Sequence, residues 1–274
     1  MNDLLFLSFL LVVALATAAA AAAKVETDRH GCAEPLPRLD VPHCSSGTSG
    51  VATINRRLVT FTAFPEALVQ LCYTDRSLEL TFQAREERSY LVNDTYVNND
   101  PIWEWTVMEA FIATGEQDPT HYLEFEVAPN NVLYTAWVHN PNKDFTTNSA
   151  AFINDWASYP ITSDTTRDAA AQTWTAEVSL PFSMFNVAAP AGTPWRMNFF
   201  RTFYANSTTA EQEYGAWNPN KLVSFHQTPC FGKVRLEGGD DKKAASAKCD
   251  EPDIRGKSSK SKSEKTKLAK RTRT

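Results

Sequence analysis

The chain has 274 residues, 43% of them hydrophobic, with 27 Lys and Arg against 32 Asp and Glu for a net charge of −5. The charge is uneven: residues 241–274 hold twelve basic and five acidic side chains, net +7, which leaves about −12 on the remainder. An acidic body excludes the basic face that a nucleic-acid-binding domain presents, so no nucleic-acid partner is expected.

Residues 1–23 carry a long apolar run followed by an alanine tract with an A-x-A cleavage pattern, which reads as a secretory signal peptide. Its n-region has Asp3 and no Lys or Arg. Retention as a membrane anchor is the weaker reading, because the alanine-rich half is only mildly hydrophobic. A secreted protein is therefore expected. The sequons Asn93-Asp-Thr95 and Asn206-Ser-Thr208 fit glycosylation in that compartment. Cys32, Cys44, Cys72, Cys230 and Cys249 imply two disulfides and one spare thiol. The pairings put forward are Cys32 with Cys44 and Cys72 with Cys230, although sequence leaves connectivity open.

Residues 24–50, rich in Pro, Cys, Ser and Gly, read as an irregular lead-in. Residues 51–238 form one stretch long enough for a proper core. A helical turn is expected near 65–72. Leu78, Leu80 and Phe82 alternate with polar residues, as do Leu123, Phe125 and Val127, and Trp174, Ala176, Val178 and Leu180. Trp195, Met197, Phe199 and Arg201 share one face of a further strand, and 231–236 supplies a last one. Turn signals such as Asn98-Asn99-Asp100-Pro101 and Pro129-Asn130-Asn131 separate them. The expected architecture is all-β, an antiparallel β-sandwich of two sheets, jelly-roll or immunoglobulin-like. Residues 239–274, rich in Lys and Ser, read as a disordered basic tail able to contact anionic polymers.

Residues 103–128 hold the strongest chemical signal. A strand from Trp105 to Ile112 is apolar on both faces except for Glu109, and a buried carboxylate must be paired, hydrogen-bonded or holding a ligand. Trp103 and Trp105 share its side if the strand reaches back that far. Indole faces beside an acid suit a sugar, whose C–H groups stack and whose hydroxyls donate. The structural alternatives are packing for both indoles and an ion pair of Glu109 with Arg201. Glu124 and Glu126 read as a solvated strand face, and His226 as an ordinary loop histidine.

Trp103-Glu-Trp, Val-Met-Glu109-Ala-Phe111 and Tyr122-Leu-Glu-Phe-Glu-Val-Ala-Pro-Asn130 resemble the carbohydrate-binding module family 9 domain. Trp174…Leu180-Pro-Phe182, Trp195-Arg-Met-Asn198-Phe-Phe-Arg201, Trp217-Asn-Pro and Phe225-His226…Pro229-Cys-Phe231-Gly232 follow in the family's order, over about residues 51–237. The resemblance implies a non-catalytic sandwich that binds a poly- or oligosaccharide as an accessory to carbohydrate catabolism, with structural calcium as a frequent companion. It makes Trp103 a stacking ring and Glu109 the acceptor of sugar hydroxyls. Phe225 takes the place of the second stacking Trp, with Trp217 nearby, and Arg201 and His226 complete the candidate set. Glu126 stands where the xylanase-attached members place an Arg, and Leu222 and Val223 replace polar residues.

Two other readings compete. Glu109 with Glu124, Glu126 or Glu177 could form the carboxylate pair of a glycoside hydrolase. Met108, Met197, His121 and His226 could ligate haem in an extracellular electron-transfer domain, although no pair has a diagnostic spacing.

Overall fold

Two-residue alternation of apolar side chains builds nearly all the regular structure. The computed structural model describes residues 25–143, 149–153, 158–205 and 211–238. The expected leader, Asn206, Cys249 and the basic tail lie outside the described residues. The strands are β1 (Arg38–Val41), β2 (Gly50–Arg57), β3 (Ala63–Tyr73), β4 (Ser77–Ala84), β5 (Val107–Thr114), β6 (His121–Val127) and β7 (Leu133–His139). Then follow β8 (Ser149–Phe152), β9 (Thr162–Asp168), β10 (Thr173–Pro181), β11 (Pro194–Phe203), β12 (Glu213–Ala216) and β13 (Gly232–Leu236).

One continuous sheet runs β8-β7-β6-β5-β11-β12-β2-β3-β4-β10-β9, with β13 paired to β11 and β1 paired to β13. It curls so that its halves face each other across one apolar core. Leu123 and Phe125 of β6 and Met108 and Ile112 of β5 meet Val69 and Leu71 of β3 and Leu80 and Phe82 of β4. The Phe82 and Phe125 rings stack across the layers at 6.5 Å between centroids. All strand pairs are antiparallel except β1 with β13. The expected antiparallel β-sandwich is the architecture found.

β4 and β10 bury every second residue, as half-buried strands do. β5, β6 and β11 are buried on both faces for almost their whole length. A second apolar cluster explains this: Phe111, Tyr122, Val138, Phe200 and Phe231 cover the outer face of these strands, away from the main core.

Three expectations are corrected. Residues 38–41 of the lead-in are strand β1, bonded in register to β13, because Leu39 and Val41 bury into the core. Residues 65–72 belong to strand β3, with Ala67, Val69, Leu71 and Tyr73 buried in alternation, rather than to a helical turn. The disulfides are Cys32–Cys230 and Cys44–Cys72, with Cα–Cα distances of 5.1 and 5.0 Å. A bridge of Cys32 to Asn220 carries the first cysteine to the far end of the chain, and one of His43 to Tyr73 brings the second pair together.

The two bridges close loops of very different length, 198 and 28 residues apart in sequence. Loop-closure entropy alone then assigns about 5 kcal/mol to the first and about 3.5 kcal/mol to the second, both upper values. Non-reducing peptide mapping should recover Cys32 linked to Cys230 and Cys44 linked to Cys72. The double variant Cys32→Ser/Cys230→Ser should lose more thermal stability than Cys44→Ser/Cys72→Ser.

Candidate functional site

The register of four neighbouring strands writes one row across the outer face of the sheet. Tyr134 of β7 pairs with Glu126 of β6, Glu126 with Glu109 of β5, and Glu109 with Phe200 of β11. In the next row Ala136 pairs with Glu124, Glu124 with Phe111 and Phe111 with Asn198. Glu109, Glu124 and Glu126 thus crowd together, each offering a carboxyl oxygen within 4.8 Å of the other two. All three are buried. They form the floor of an open cleft of about 420 Å³.

One wall is Trp103. The turn before it is docked on β7: the Asn99 N–H donates to the Leu133 carbonyl at 2.8 Å, and Asn98 and Asn99 Oδ1 each accept a backbone N–H, from Leu133 and Thr135, at 3.0 Å. A 3-10 turn, Ile102–Glu104, follows; Ile102 buries against Val107, Ala128 and Tyr134 and Trp103 turns outward. Its indole is 42% exposed and meets Tyr134 edge-on at 5.1 Å. The other wall is the loop 217–231, which carries Phe225 stacked flat on Phe200 at 4.2 Å and 6°. Buried amides fold this loop. Asn218 Nδ2 donates to the Cys230 carbonyl, Asn220 Nδ2 to the Ser224 carbonyl and Asn140 Nδ2 to the His226 carbonyl. The Cys32–Cys230 bridge fastens its far end. Tyr134 at one end of the glutamate row and Phe200 at the other therefore seat two aromatic rings, with the acids between them.

Among the described residues, His226 is the only basic side chain within ion-pair reach of the three acids, its Nε2 3.8 Å from Glu124 Oε1. Burial pushes Glu124 up to about 8 and His226 down to about 4, so this is a contact between neutral groups at pH 7. The Tyr122 hydroxyl accepts from Asn140 Nδ2 and shares a hydrogen bond of 2.6 Å with His226 Nδ1, whose direction follows the imidazole tautomer. Glu109 is held well above the usual carboxylate range by burial and by Glu124, with Thr202 acting in the opposite sense. Glu126 is raised by burial and by both other acids. Among the described residues, Glu109 Oε1 and Glu126 Oε2 have no hydrogen-bond partner. Like-charged residues directly opposed across a ladder, in a dry site, are each destabilising when ionised.

The structure brings together Trp103, Glu109, Phe225 and His226 of the residues singled out from sequence. Three others lie elsewhere. Trp105 caps the 3-10 turn and meets Tyr96 edge-on, because the strand begins only at Val107. Arg201 lies on the opposite face of β11, fully buried, donating to the Pro65, Glu66 and Arg85 carbonyls and to Glu87, so it does not pair with Glu109. Trp217 packs on Phe199 and over Gly232, where a Cβ would stand 2.4 Å from its ring. Glu124 and Glu126 are corrected from a solvated face to a buried one, because β7 and the Phe225 loop enclose that side of β6. Val223 lines the cleft and Leu222 beside it is exposed. Thr202, Tyr134, Gln212 and Tyr214 also line it and were not foreseen. Met108 and Met197 face the main core whereas His226 faces the cleft, so neither methionine shares a cavity with that histidine. His121 is exposed and lies against His139, the rings tilted at 31°. Asn93 is half-buried in a surface turn, with its Oδ1 accepting from the Thr95 N–H and hydroxyl.

The acids carry a pH signature. An acid raised on folding binds its proton more tightly in the folded chain, so stability is lost as pH rises from 4.5 through about 8 for Glu124. His226, lowered on folding, acts in the other direction, losing stability as pH falls from 6.5 through about 4. Glu124→Gln, Glu109→Gln and Glu126→Gln should each raise the melting temperature at pH 8 more than at pH 5. A gain of about 2–4 °C per kcal/mol applies at this chain length. Melting curves across pH 4–9 check it.

No family profile matches the chain. A Bacteroides uniformis crystal structure described as a "putative carbohydrate-binding protein" shares the fold, with a TM-score of 0.57 and 17% identity, covering 74% of this chain and 100% of that one. A carbohydrate-binding module family 9 structure from Caldicellulosiruptor kristjanssonii, in complex with cellotriose, aligns at TM-score 0.45 and 15% identity over 75% of this chain and 96% of that one. An Arthroderma benhamiae protein named "Extracellular protein" is 42% identical over 209 residues, 74% of this chain and 93% of that relative. At that identity and coverage, the chain belongs to the family of the Arthroderma extracellular protein.

Proposed function

We propose that this is a secreted carbohydrate-binding protein whose cleft holds a sugar by aromatic stacking and hydroxyl hydrogen bonds, without cleaving it. The observation that carries the reading is the row of Tyr134, Glu126, Glu109 and Phe200, with Trp103 seated over one end and Phe225 over the other. Apolar ring faces at the walls and acceptor oxygens on the floor match the two surfaces of a pyranose. Buried acceptors without partners add specificity, since a ligand that satisfies them removes a standing desolvation cost. The name of the Bacteroides structure that shares the fold supports the ligand class, and the name of the Arthroderma relative supports secretion. Secretion also suits the two disulfides.

The carboxyls argue for binding rather than hydrolysis. They crowd one floor on two adjacent strands, whereas hydrolytic pairs flank the bond they cleave at about 5–9.5 Å. An accessory role in carbohydrate catabolism follows from this reading. The basic residues of 239–274 supply a second, electrostatic means of retention on anionic polymers.

A glycan array followed by affinity electrophoresis on the best ligands tests the site. Trp103→Ala and Phe225→Ala should each weaken binding about tenfold, the loss of one stacking ring. Unchanged affinity in both variants would sink the proposed cleft. Glu177→Gln, on the exposed side of β10, is the control and should bind as the parent does.

A further inference from the structure

The floor of the cleft has a donor set that no sugar hydroxyl fully explains. Three carboxyl oxygens from Glu109, Glu124 and Glu126 lie within 4.8 Å of one another. A triangle of that side has its centre about 2.8 Å from each corner (the side divided by √3), within a few tenths of an ångström of the Ca–O range. Two further facts point to a ligand there. Glu109 Oε1 and Glu126 Oε2 are buried and unpartnered. Thr202, whose side chain is also fully buried, lines the same cleft, and among the described residues its Oγ1 has no partner within hydrogen-bond distance.

We propose that Glu109, Glu124 and Glu126, with the Thr202 hydroxyl, form a calcium site at the base of the cleft. The donors are hard oxygens only, and no thiol lines the cleft among the described residues. His226 stands outside this group of mutually close donor atoms, so the oxygen-only set suits calcium rather than zinc or copper. Three carboxylates and the Thr202 hydroxyl supply four of the six to eight oxygens that calcium takes, and the open side of the cleft leaves the remaining positions to water or ligand oxygens. A divalent cation also removes the repulsion between Glu109 and Glu126 where they face each other on adjacent strands. The site stands on this chain's own oxygens and does not depend on whether a sugar binds.

The test uses the full chain, stripped with a chelator and titrated with calcium chloride alone at pH 7.5. Calorimetry should show one site per chain, and calcium should raise the melting temperature. Both effects should be lost, with affinity down at least tenfold, in Glu109→Gln, Glu124→Gln and Glu126→Gln. Asp75→Asn, whose carboxylate is 95% exposed and remote from the cleft, should titrate as the parent does. Because the three Gln variants are expected to be more stable than the parent, loss of binding in them is not loss of fold. The absence of calcium binding by the parent would overturn the proposal, as would equal binding by the three variants, which places the ion elsewhere.

Discussion

The register between β5 and β6 places Glu109 directly opposite Glu126, and the rest of the site follows from that pairing. Two carboxyls facing each other across a ladder, with a third two residues along, cannot all ionise in a dry setting without a compensating partner. The strands hold this arrangement because the other face of each is committed to the main core through Met108, Ala110, Leu123, Phe125 and Val127. A slip of one residue would bury the glutamates between the sheets and expose those apolar side chains. Packing on one face therefore maintains an electrostatically unfavourable cluster on the other. Such local cost persists only because packing elsewhere supports it, a pattern that fits the binding floor proposed above.

The surrounding architecture serves to enclose that floor. Asn98 and Asn99 tie the Trp103 turn to β7, and the Asn218 and Asn220 amides shape the loop that bears Phe225. Cys32, from the N-terminal segment, fastens the end of the same loop through Cys230. The long-range disulfide thus shapes the cleft as well as adding stability, because the loop that bears Phe225 ends on the residue it anchors. Arg201, by contrast, is a scaffold residue. Its guanidinium collects carbonyls of β3 and the end of β4 on the far side of β11 and leaves the acids in the cleft without a neutralising Arg.

Much of the fold was legible in the sequence. Alternation at Leu78–Phe82 and Trp174–Leu180 marks strands with one solvated face, and the structure has them at β4 and β10. Pro65 misled, since proline opens helices readily; here it sits where the β2–β3 register shifts between Ile54 and Arg56, a place where a missing N–H is tolerated. Cysteine pairing was not legible, because which thiols meet depends on how the first strands dock. Glu109 stood out because its strand is apolar on both sides. Glu124 and Glu126 did not, because alternation with Leu123, Phe125 and Val127 is also the pattern of a solvated edge. The usable signal was position: β6 is the next strand after a strand buried on two faces, so its polar side was due to be covered as well. The resemblance to family 9 modules located Trp103, Glu109 and Phe225 but carried Arg201 and Trp217 along with them, and only side-chain direction separates the two groups. The Glu126 position, where that resemblance expects an Arg, is the departure that changes the chemistry most.

The central claim is that burial and mutual repulsion raise the three glutamates on the cleft floor, so that Glu124, pushed up to about 8, holds its proton at pH 7 until a cation takes its place. Infrared difference spectroscopy of the chelator-treated protein at pH 7, against the variant Glu109→Gln/Glu124→Gln/Glu126→Gln, reads this directly. The account predicts a protonated-carboxyl stretch in the parent that is missing from the variant, that fades when calcium is added and that shifts when a bound oligosaccharide hydrogen-bonds to it. A spectrum in which all three acids are ionised in the free protein, or a carboxyl band indifferent to either ligand, would contradict it.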